Sequence, residues 1–166
     1  MASSGVHRKL SGTRETMTLR TWLRVLACTN MMERRIRARL RERFATTLPR
    51  FDVLAQLDAA EREDPGKGLT LSELSHRLMV TNGNLTGLTE HLVQEGLVSR
   101  EVSQTDRRSQ HVRLTPAGRR ALNSMLPDHR VWIKEMFAEL NDRDVSELYE
   151  LVGKLKNSVA AIGEDE

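Results

Sequence analysis

The stretch TLSELSHRLMVTNGNLTGLTEHLVQEGLVSREVSQTDRRSQHVRL, residues 70–114, decides the fold. It opens with a capping-box pattern, Thr70 followed by Glu73 at the third position on, which predicts the start of a short helix. Thr81 is expected to cap a second helix, which ends before Gly96, a residue suited to the position after a helix end. Two such helices joined by a tight turn predict a helix-turn-helix.

A short β-hairpin is predicted directly after the second helix. Residues 97–102 have strand-forming composition, residues 103–106 are polar and predict a turn, and residues 112–114 alternate like a returning strand. A helix-turn-helix followed by a hairpin is a winged helix, in which the hairpin is the wing. We therefore expect a mainly α-helical protein with a small β-wing.

Helical patterns flank this region on both sides. Apolar residues recur at helical spacing over residues 16–44, and further helices are expected to begin at Pro49, Pro116 and Asp142, which makes six in all. Residues 1–15 are polar and lack periodicity, so they are expected to form a flexible arm.

The net charge of +3, from 26 basic and 23 acidic residues, conceals an uneven distribution. Residues 1–50 carry 12 basic and 3 acidic residues, and residues 101–120 carry 5 and 2. Residues 51–100 carry 4 basic and 8 acidic residues, and residues 121–166 carry 5 and 10. Most basic residues are Arg, which holds phosphates and groove edges in a fixed geometry. The pattern favours a nucleic-acid partner.

Several function classes are disfavoured by what the sequence lacks. It has no apolar run long enough for a membrane helix and no leader pattern, so the cytoplasm is the expected location. The single cysteine, Cys28, excludes a disulfide framework and a cysteine zinc cluster, and the five histidines lack metal-ligand spacing. Without a phosphate-binding glycine loop or a nucleophile motif, we expect no enzyme, catalytic residue, metal or cofactor.

The helix that begins at Thr81 is expected to expose a small, polar face to the major groove of double-stranded DNA. Its buried side would carry Leu85, Leu88 and Leu92. Glycine permits close approach of a backbone, and Asn and Thr can contact base edges. The residues expected to bind DNA here are Thr81, Asn82, Gly83, Asn84, Thr86 and Gly87.

The predicted tip of the wing carries two adjacent arginines. Arg107 and Arg108 suit a minor groove, where narrow stretches concentrate negative potential. Asp106 is expected to fix the tip by pairing with a neighbouring arginine, since its own charge opposes DNA binding. An ordinary solvated turn is the alternative.

Five segments together resemble the multiple-antibiotic-resistance regulator (MarR) family of bacterial transcription factors. They are LSEL at 71–74, VTNGNLT at 80–86, EGLV at 95–98, DRR at 106–108 and LTPAG at 114–118, and the likeness extends over about residues 19–162. The resemblance implies a homodimer in which each subunit places the helix that begins at Thr81 in a major groove and its wing in the adjacent minor groove. It also implies a repressor that releases DNA when a small molecule binds between its dimerisation and DNA-binding parts.

This resemblance divides the chain into four parts. They are the arm at 1–15, an N-terminal dimerisation helix at 16–48, a winged helix-turn-helix lobe at 49–115 and C-terminal dimerisation helices at 116–166. The last helix favours a dimer independently, because a continuous apolar stripe must be buried, and packing across a two-fold axis would bury it. Packing within one chain is the alternative. That stripe is Leu148, Leu151, Val152, Leu155, Val159 and Ile162. A symmetric dimer binds a pseudo-palindrome with half-sites about one DNA turn apart.

An effector pocket needs apolar walls and a few polar groups that converge. Candidates lie at polar positions on the apolar face of the first helix and among apolar residues of the fifth. They are Trp22, Thr29, Asn30, Glu33, Arg37, His129 and Trp132. A structural role is the alternative, because Glu33 and Arg37 fit an i,i+4 ion pair and His129 fits a core histidine.

Residues 47–52 (TLPRFD), with Asn82, Gly83 and Asn84, are similar to a branch of the family associated with aromatic-acid degradation. Some regulators of that branch sense hydroxycinnamoyl-coenzyme A thioesters, which implies an aryl-coenzyme A effector, with a free aromatic acid as the alternative. The first helix is rich in arginines, which either flank DNA or hold the phosphates of such a ligand. They are Arg34, Arg35, Arg37, Arg39, Arg41 and Arg43.

Two other functions stay open. The organic-hydroperoxide branch of the family uses one N-terminal cysteine, and Cys28 is similarly placed. Tyrosines activate the cysteine of that branch, whereas the single Tyr149 is far along this sequence, and a thiol in an apolar helix is usually inert. An architectural protein would bind all DNA alike, whereas a regulator discriminates by roughly 10³-fold or more.

Overall fold

The computed structural model describes residues 4–102 and 110–162, in which six helices and three strands are present. The helices are α1 (Ser4–Phe44), α2 (Leu48–Glu63), α3 (Leu71–Leu78), α4 (Asn82–Gln94), α5 (Pro116–Met136) and α6 (Asp142–Ala160). The strands are β1 (Leu69–Thr70), β2 (Val98–Val102) and β3 (Gln110–Leu114). The predicted six-helix, winged helix-turn-helix architecture is confirmed. None of the helices in these two ranges is both long and apolar enough to cross a membrane.

Helix α1 begins at Ser4, so residues 4–15 are helical, whereas the sequence predicts a flexible arm there. That prediction rested on the lack of an apolar stripe. Residues 4–15 contain no proline and extend a helix that is already formed after them. Extending a helix is far easier than nucleating one, and a polar extension leaves no periodic signal in the sequence.

The helix-turn-helix consists of α3, α4 and the turn between them. The predicted capping box is present, since the Glu73 N–H donates to Thr70 Oγ1 (3.1 Å) and the Thr70 N–H donates to Glu73 Oε2 (2.8 Å). Helix α3 ends at Met79, whose φ of 54° is in the left-handed region. Thr81 occupies the N-cap position of α4, but its side chain makes no capping bond, contrary to the prediction. Gly96, at φ 70°, follows the end of α4 as predicted.

The wing is the antiparallel pair β2 and β3, and β1 adds a third strand that the sequence did not predict. The strand order is β1-β3-β2, so Val112 of β3 lies opposite both Leu69 and Arg100. Leu69, Val98 and Val112 are buried. Strand β1 has two residues, which is too short for an alternating pattern to be detected.

Helix α5 begins close to the end of α4. Thr115 caps it, because the Gly118 N–H donates to Thr115 Oγ1 at 3.0 Å. The Thr115 N–H in turn donates to the Leu97 carbonyl at 3.1 Å. A Cβ added to Gly118 would lie 2.0 Å from the Leu97 carbonyl oxygen, so only glycine fits this close approach.

The chain divides into two compact units, Met1–Met125 and Leu126–Glu166, with the division inside α5. The core of the first unit comes from α1 to β3 and the start of α5. Its most buried apolar residues include Leu40, Phe51, Val53, Leu54, Leu57, Leu74, Leu85, Leu92, Val98, Val112 and Leu122.

The second unit contains the end of α5 and all of α6. Helix α5 ends at Met136, where the chain tightens into turns in which the Leu140 N–H donates to the Phe137 carbonyl at 3.0 Å. Asn141 and Asp144 form a capping box at the start of α6. No residue of α6 is buried in this single chain.

Candidate nucleic-acid interface and ligand cavity

The first turns of α4 present a surface with little side chain on it. Gly83, Asn84 and Gly87 are exposed, whereas Leu85 and Leu92 on the opposite side are buried as predicted. We call the exposed side of α4, with Thr81 at its start, the recognition face. Its shallow, polar surface can approach a flat or grooved partner closely.

Neither glycine of the recognition face is required by packing within the described chain. A Cβ added to Gly83 or Gly87 would have no atom within 4 Å, in contrast to Gly118. Each glycine inside a helix costs about 1 kcal/mol relative to alanine. Close approach of another molecule to the helix backbone is a physical reason to retain both.

Two threonines of α4 have roles that the sequence analysis did not assign. Thr86 is half-buried, and its carbonyl accepts a hydrogen bond from Arg100 Nη2 at 3.4 Å. Thr89 is fully buried, and its Oγ1 accepts from the same Nη2 at 2.7 Å. The available signal for Thr89 was its position one helical turn after the buried Leu85.

The predicted tip of the wing, with Asp106, Arg107 and Arg108, lies outside the described residues, as does the side chain of Asn82. Their DNA contacts stay predictions. On the described part of the hairpin, Arg113 Nη1 pairs with Glu101 Oε2 at 3.0 Å. On the described strands, Arg113 and Arg100 each lie within 4 Å of an acidic side chain, since Arg100 Nη1 is 3.9 Å from Glu90 Oε1.

A cavity of about 730 Å³ lies beside the recognition face, within the first compact unit. Its volume is in the range of sites for drug-sized ligands, about 300–1,000 Å³. Its apolar walls include Leu48, Pro49, Leu78, Met79, Val80 and Leu88. Its polar groups are Glu33, Arg37, Thr47, Asp52 and Asn84. Two predicted effector residues thus share one cavity with Asn84, a predicted DNA-contacting residue.

Glu33 and Arg37 form an i,i+4 ion pair, as the structural alternative predicted, with Arg37 Nη2 2.8 Å from Glu33 Oε2. Asp52 of α2 faces the same cavity, and the sequence analysis missed it. Burial raises the pKa of Asp52 from its ordinary 3.8 to about 6, Glu33 adds to the rise and Arg37 opposes it. The cavity therefore holds one acid that is only partly ionised at mildly acidic pH.

A second hollow, of about 480 Å³, runs along α1. We call it the arginine hollow, because its walls are Asn30, Glu33, Arg34, Arg37, Ala38 and Arg41. Glu33 and Arg37 line both spaces. Three guanidinium groups around one hollow are suited to an anion such as a phosphate or a carboxylate.

The remaining effector candidates are not brought to these spaces. Trp22 and Thr29 are exposed, line neither hollow, and the Thr29 hydroxyl donates to the Val25 carbonyl of its own helix at 3.0 Å. His129 and Trp132 belong to the second compact unit. Burial lowers the pKa of the half-buried His129, and Trp132 is buried.

A buried carboxylate joins α2 to the start of α5. Asp58 is buried, and its Oδ1 lies 2.7 Å from Arg119 Nη1, while Oδ2 pairs with Arg62. The charge is therefore satisfied on both oxygens. The sequence signal for it was an acid one helical turn after Leu54 and beside Leu57, both of which are apolar residues that α2 buries.

Cys28 is exposed on α1, with Sγ 3.9 Å from Met32 Sδ. The neighbouring Val25, Leu26 and Met31 are also exposed, so among the described residues Cys28 is not enclosed by an apolar core. Across the described ranges, no group of three or more His, Cys, Asp or Glu side chains is placed to hold a metal ion.

The helix-turn-helix, the adjoining wing and the recognition face define the class: a winged-helix protein. AbsC, a MarR family transcriptional regulator from Streptomyces coelicolor, has this fold, with a TM-score of 0.74 and 21% identity over 85% of this chain and 93% of its own. The S. aureus MepR–DNA complex matches with a TM-score of 0.70 and 20% identity, over 83% of this chain and 96% of that one.

The MarR family profile matches residues 46–110. An HTH-type transcriptional regulator of Bacillus cereus (strain ATCC 10987 / NRS 248) is 30% identical over 135 residues, which are 81% of this chain and 85% of the relative. The chain belongs to the MarR family of DNA-binding transcriptional regulators.

Proposed function

We propose that this regulator is a homodimeric repressor that leaves a pseudo-palindromic operator when a small aromatic molecule binds. One observation carries the ligand response: Asn84 is exposed on the recognition face and also lines the cavity. A ligand in the cavity therefore touches the helix proposed to read bases. A group that contacts both ligand and DNA couples the two binding events directly, and Asn84 is placed to be such a group.

Residues 49–115 are proposed to bind DNA, with α4 in a major groove and the wing in the adjacent minor groove. The glycines at 83 and 87 support the helix assignment, because packing in the described chain does not require them. The MepR–DNA complex shows DNA bound by a protein of this fold. Residues 16–48 and 116–166 are proposed to hold the dimer together.

The dimer proposal rests on apolar surface that one chain leaves open. Leu151, Val152 and Val159 of α6 are 62%, 48% and 60% exposed, and Trp22 and Leu19 of α1 are also exposed. Burial of apolar surface stabilises by about 25 cal/mol per Å². A second copy of the chain can cover these stripes across a two-fold axis.

The proposed effector has an aromatic group and an anionic end. The apolar walls of the cavity suit the ring, and the arginine hollow suits a carboxylate or the phosphates of coenzyme A. The shared Glu33–Arg37 pair lies where the two spaces meet. An aryl-coenzyme A thioester would occupy both spaces, and a free aromatic acid would fit within one.

The test is to titrate the protein–operator complex with p-coumaric acid and with p-coumaroyl-coenzyme A while fluorescence anisotropy reports release. Release by the thioester that weakens in Arg34→Gln and Arg41→Gln, but not in the matched exposed Arg35→Gln, supports the spanning site. Release by the acid alone supports the smaller ligand. Release by neither contradicts the proposed effector class, and equal affinity for operator and random DNA contradicts a regulator in favour of an architectural protein.

A further inference from the structure

Arg100 joins the two DNA-binding elements of the winged helix. It stands at the middle of β2, paired in register with Val112 of β3. Its side chain is only 25% exposed and reaches across to α4. There Nη2 lies 2.7 Å from Thr89 Oγ1 and 3.4 Å from the Thr86 carbonyl oxygen, while Nη1 lies 3.9 Å from Glu90 Oε1.

Thr89 is the buried end of this connection. It is 0% exposed, and its hydroxyl lies 2.9 Å from the carbonyl oxygens of both Leu85 and Thr86. A hydroxyl has one hydrogen, so it donates to one of these carbonyls and uses a lone pair to accept from Arg100. The guanidinium therefore binds a group whose own position is set inside α4.

Folding stability alone does not explain the hydrogen bond between Arg100 and Thr89. Within the described ranges, Arg100 Nε is buried without a hydrogen-bond partner. Leaving a buried donor unsatisfied costs free energy, whereas an apolar pair of the same shape in place of arginine and threonine would carry no such cost. The polar contact has directional geometry that an apolar pair lacks.

We propose that Arg100 is a positioning residue that fixes the wing strands relative to the recognition face and so sets which DNA sequences the protein prefers. Helix and wing enter neighbouring grooves in the proposed complex, so a change in their separation misplaces one when the other is seated. Sequence is read through contacts to base edges, whereas contacts to the phosphates carry no sequence information, so a misplaced element changes the preference among sequences. This inference rests on the proposed operator binding.

The experiment compares full-length Arg100→Met and Thr89→Val with wild type, on an operator selected by wild type from a random duplex library and on random duplex. Arg113→Met is the matched control, because it removes the same charge from the neighbouring strand. We expect both test variants to lose about tenfold or more of their operator-over-random preference while random-duplex affinity changes by less than about threefold. The double variant should lose no more than the larger single loss.

Arg113→Met should lower affinity for both duplexes alike, and hydroxyl-radical protection at the operator flanks should fade only in the Arg100 and Thr89 variants. An unchanged preference in folded Arg100→Met overturns the proposal, as does an equal loss in Arg113→Met. If Arg100→Met does not fold, as judged by circular dichroism, Thr89→Val decides, because it keeps the shape of the side chain. If the wild type selects no sequence, both the proposed operator binding and the positioning role are contradicted. If it selects an operator but Arg100→Met keeps the preference, or Arg113→Met loses it equally, only the positioning role is contradicted.

Discussion

Helices α4 and α6 are both amphipathic, but they leave opposite sides open. Helix α4 buries Leu85 and Leu92 and exposes glycine and short polar side chains. Helix α6 has no buried residue in the described chain and exposes an apolar stripe that includes Leu151 and Leu155. The exposed side of each helix indicates the partner that it suits. The shallow polar face of α4 suits a DNA groove, and the apolar face of α6 suits another protein surface.

The largest expected effect comes from charging the open side of α6. In Leu151→Lys/Leu155→Lys, burial of two ammonium groups opposes association, so we expect a dimer to become a monomer of 18.9 kDa. Operator affinity should fall by about 10²-fold or more, because one half-site is then bound alone. Light scattering coupled to size exclusion measures the mass, with Glu150→Lys on the same helix as the control. A double variant that stays dimeric would show that α6 does not form the interface.

The next largest effect concerns the core of the winged helix, which a single chain forms. Leu74 of α3 is 0% exposed, so Leu74→Ala should lower the free energy of unfolding by about 2–5 kcal/mol. Since Leu74 lies in the core of one chain, this loss should be the same at low and high protein concentration. Urea denaturation at two concentrations measures it, with Val80→Ala at an exposed residue as the control. A loss that shrinks at high concentration would place Leu74 in a dimer contact.

A third effect concerns pH and the cavity beside α4. The pKa of Asp52 rises from 3.8 to about 6 in the folded protein, so the native state holds this proton more tightly than the unfolded state. Its stabilising contribution is full below about pH 4 and is lost as the pH rises through 6. Asp52→Asn should therefore raise the free energy of unfolding at pH 7.5 by about 1–2 kcal/mol.

Urea denaturation between pH 4 and 8 tests the Asp52 prediction. Relative to Asp52→Asn, the wild type should lose stability as the pH rises, and the difference should open between pH 4 and 6. Asp64→Asn removes the same charge at an exposed residue after α2 and is the control. Parallel curves for wild type and Asp52→Asn would contradict the raised pKa.

The smallest effect separates folding from DNA binding on α4 itself. Because no atom would lie within 4 Å of a new Cβ, Gly87→Ala should raise the free energy of unfolding by about 0.5–1 kcal/mol. The same methyl group should weaken DNA binding if the helix backbone approaches the groove closely. Thermal melts and anisotropy measure the two quantities. Gly118→Ala is the contrasting control and should destabilise, and unchanged DNA affinity in Gly87→Ala would remove the argument from the glycines.

The fold was largely predictable because its signals are local. The Thr70–Glu73 capping box, the positive-φ Gly96 and the Thr115 cap each mark an element end, and all three are present. The helix over residues 4–15 and the two-residue β1 escaped prediction, since neither has enough periodic apolar residues. Sequence patterns detect helices and strands that have periodic apolar residues of their own. They miss elements that form because an adjacent helix or strand extends to them or pairs with them.

The candidate site was predictable only where one helix defines it. Gly83, Asn84 and Gly87 follow from the period of α4, and the Glu33–Arg37 pair follows from i,i+4 spacing. The cavity depends on α1, α2, α3 and α4 meeting, so Asp52 could not be assigned from spacing. The Arg100–Thr89 contact likewise joins a strand to a helix, and no sequence period relates the two.

Selection of binding sites by the wild-type protein from a random duplex library tests the proposed dimeric DNA binding directly. A dimer joined through its apolar helices, with one winged helix per half-site, predicts an enriched inverted repeat whose half-sites are centred about one DNA turn apart. A single asymmetric half-site, or no enrichment at all, would contradict it.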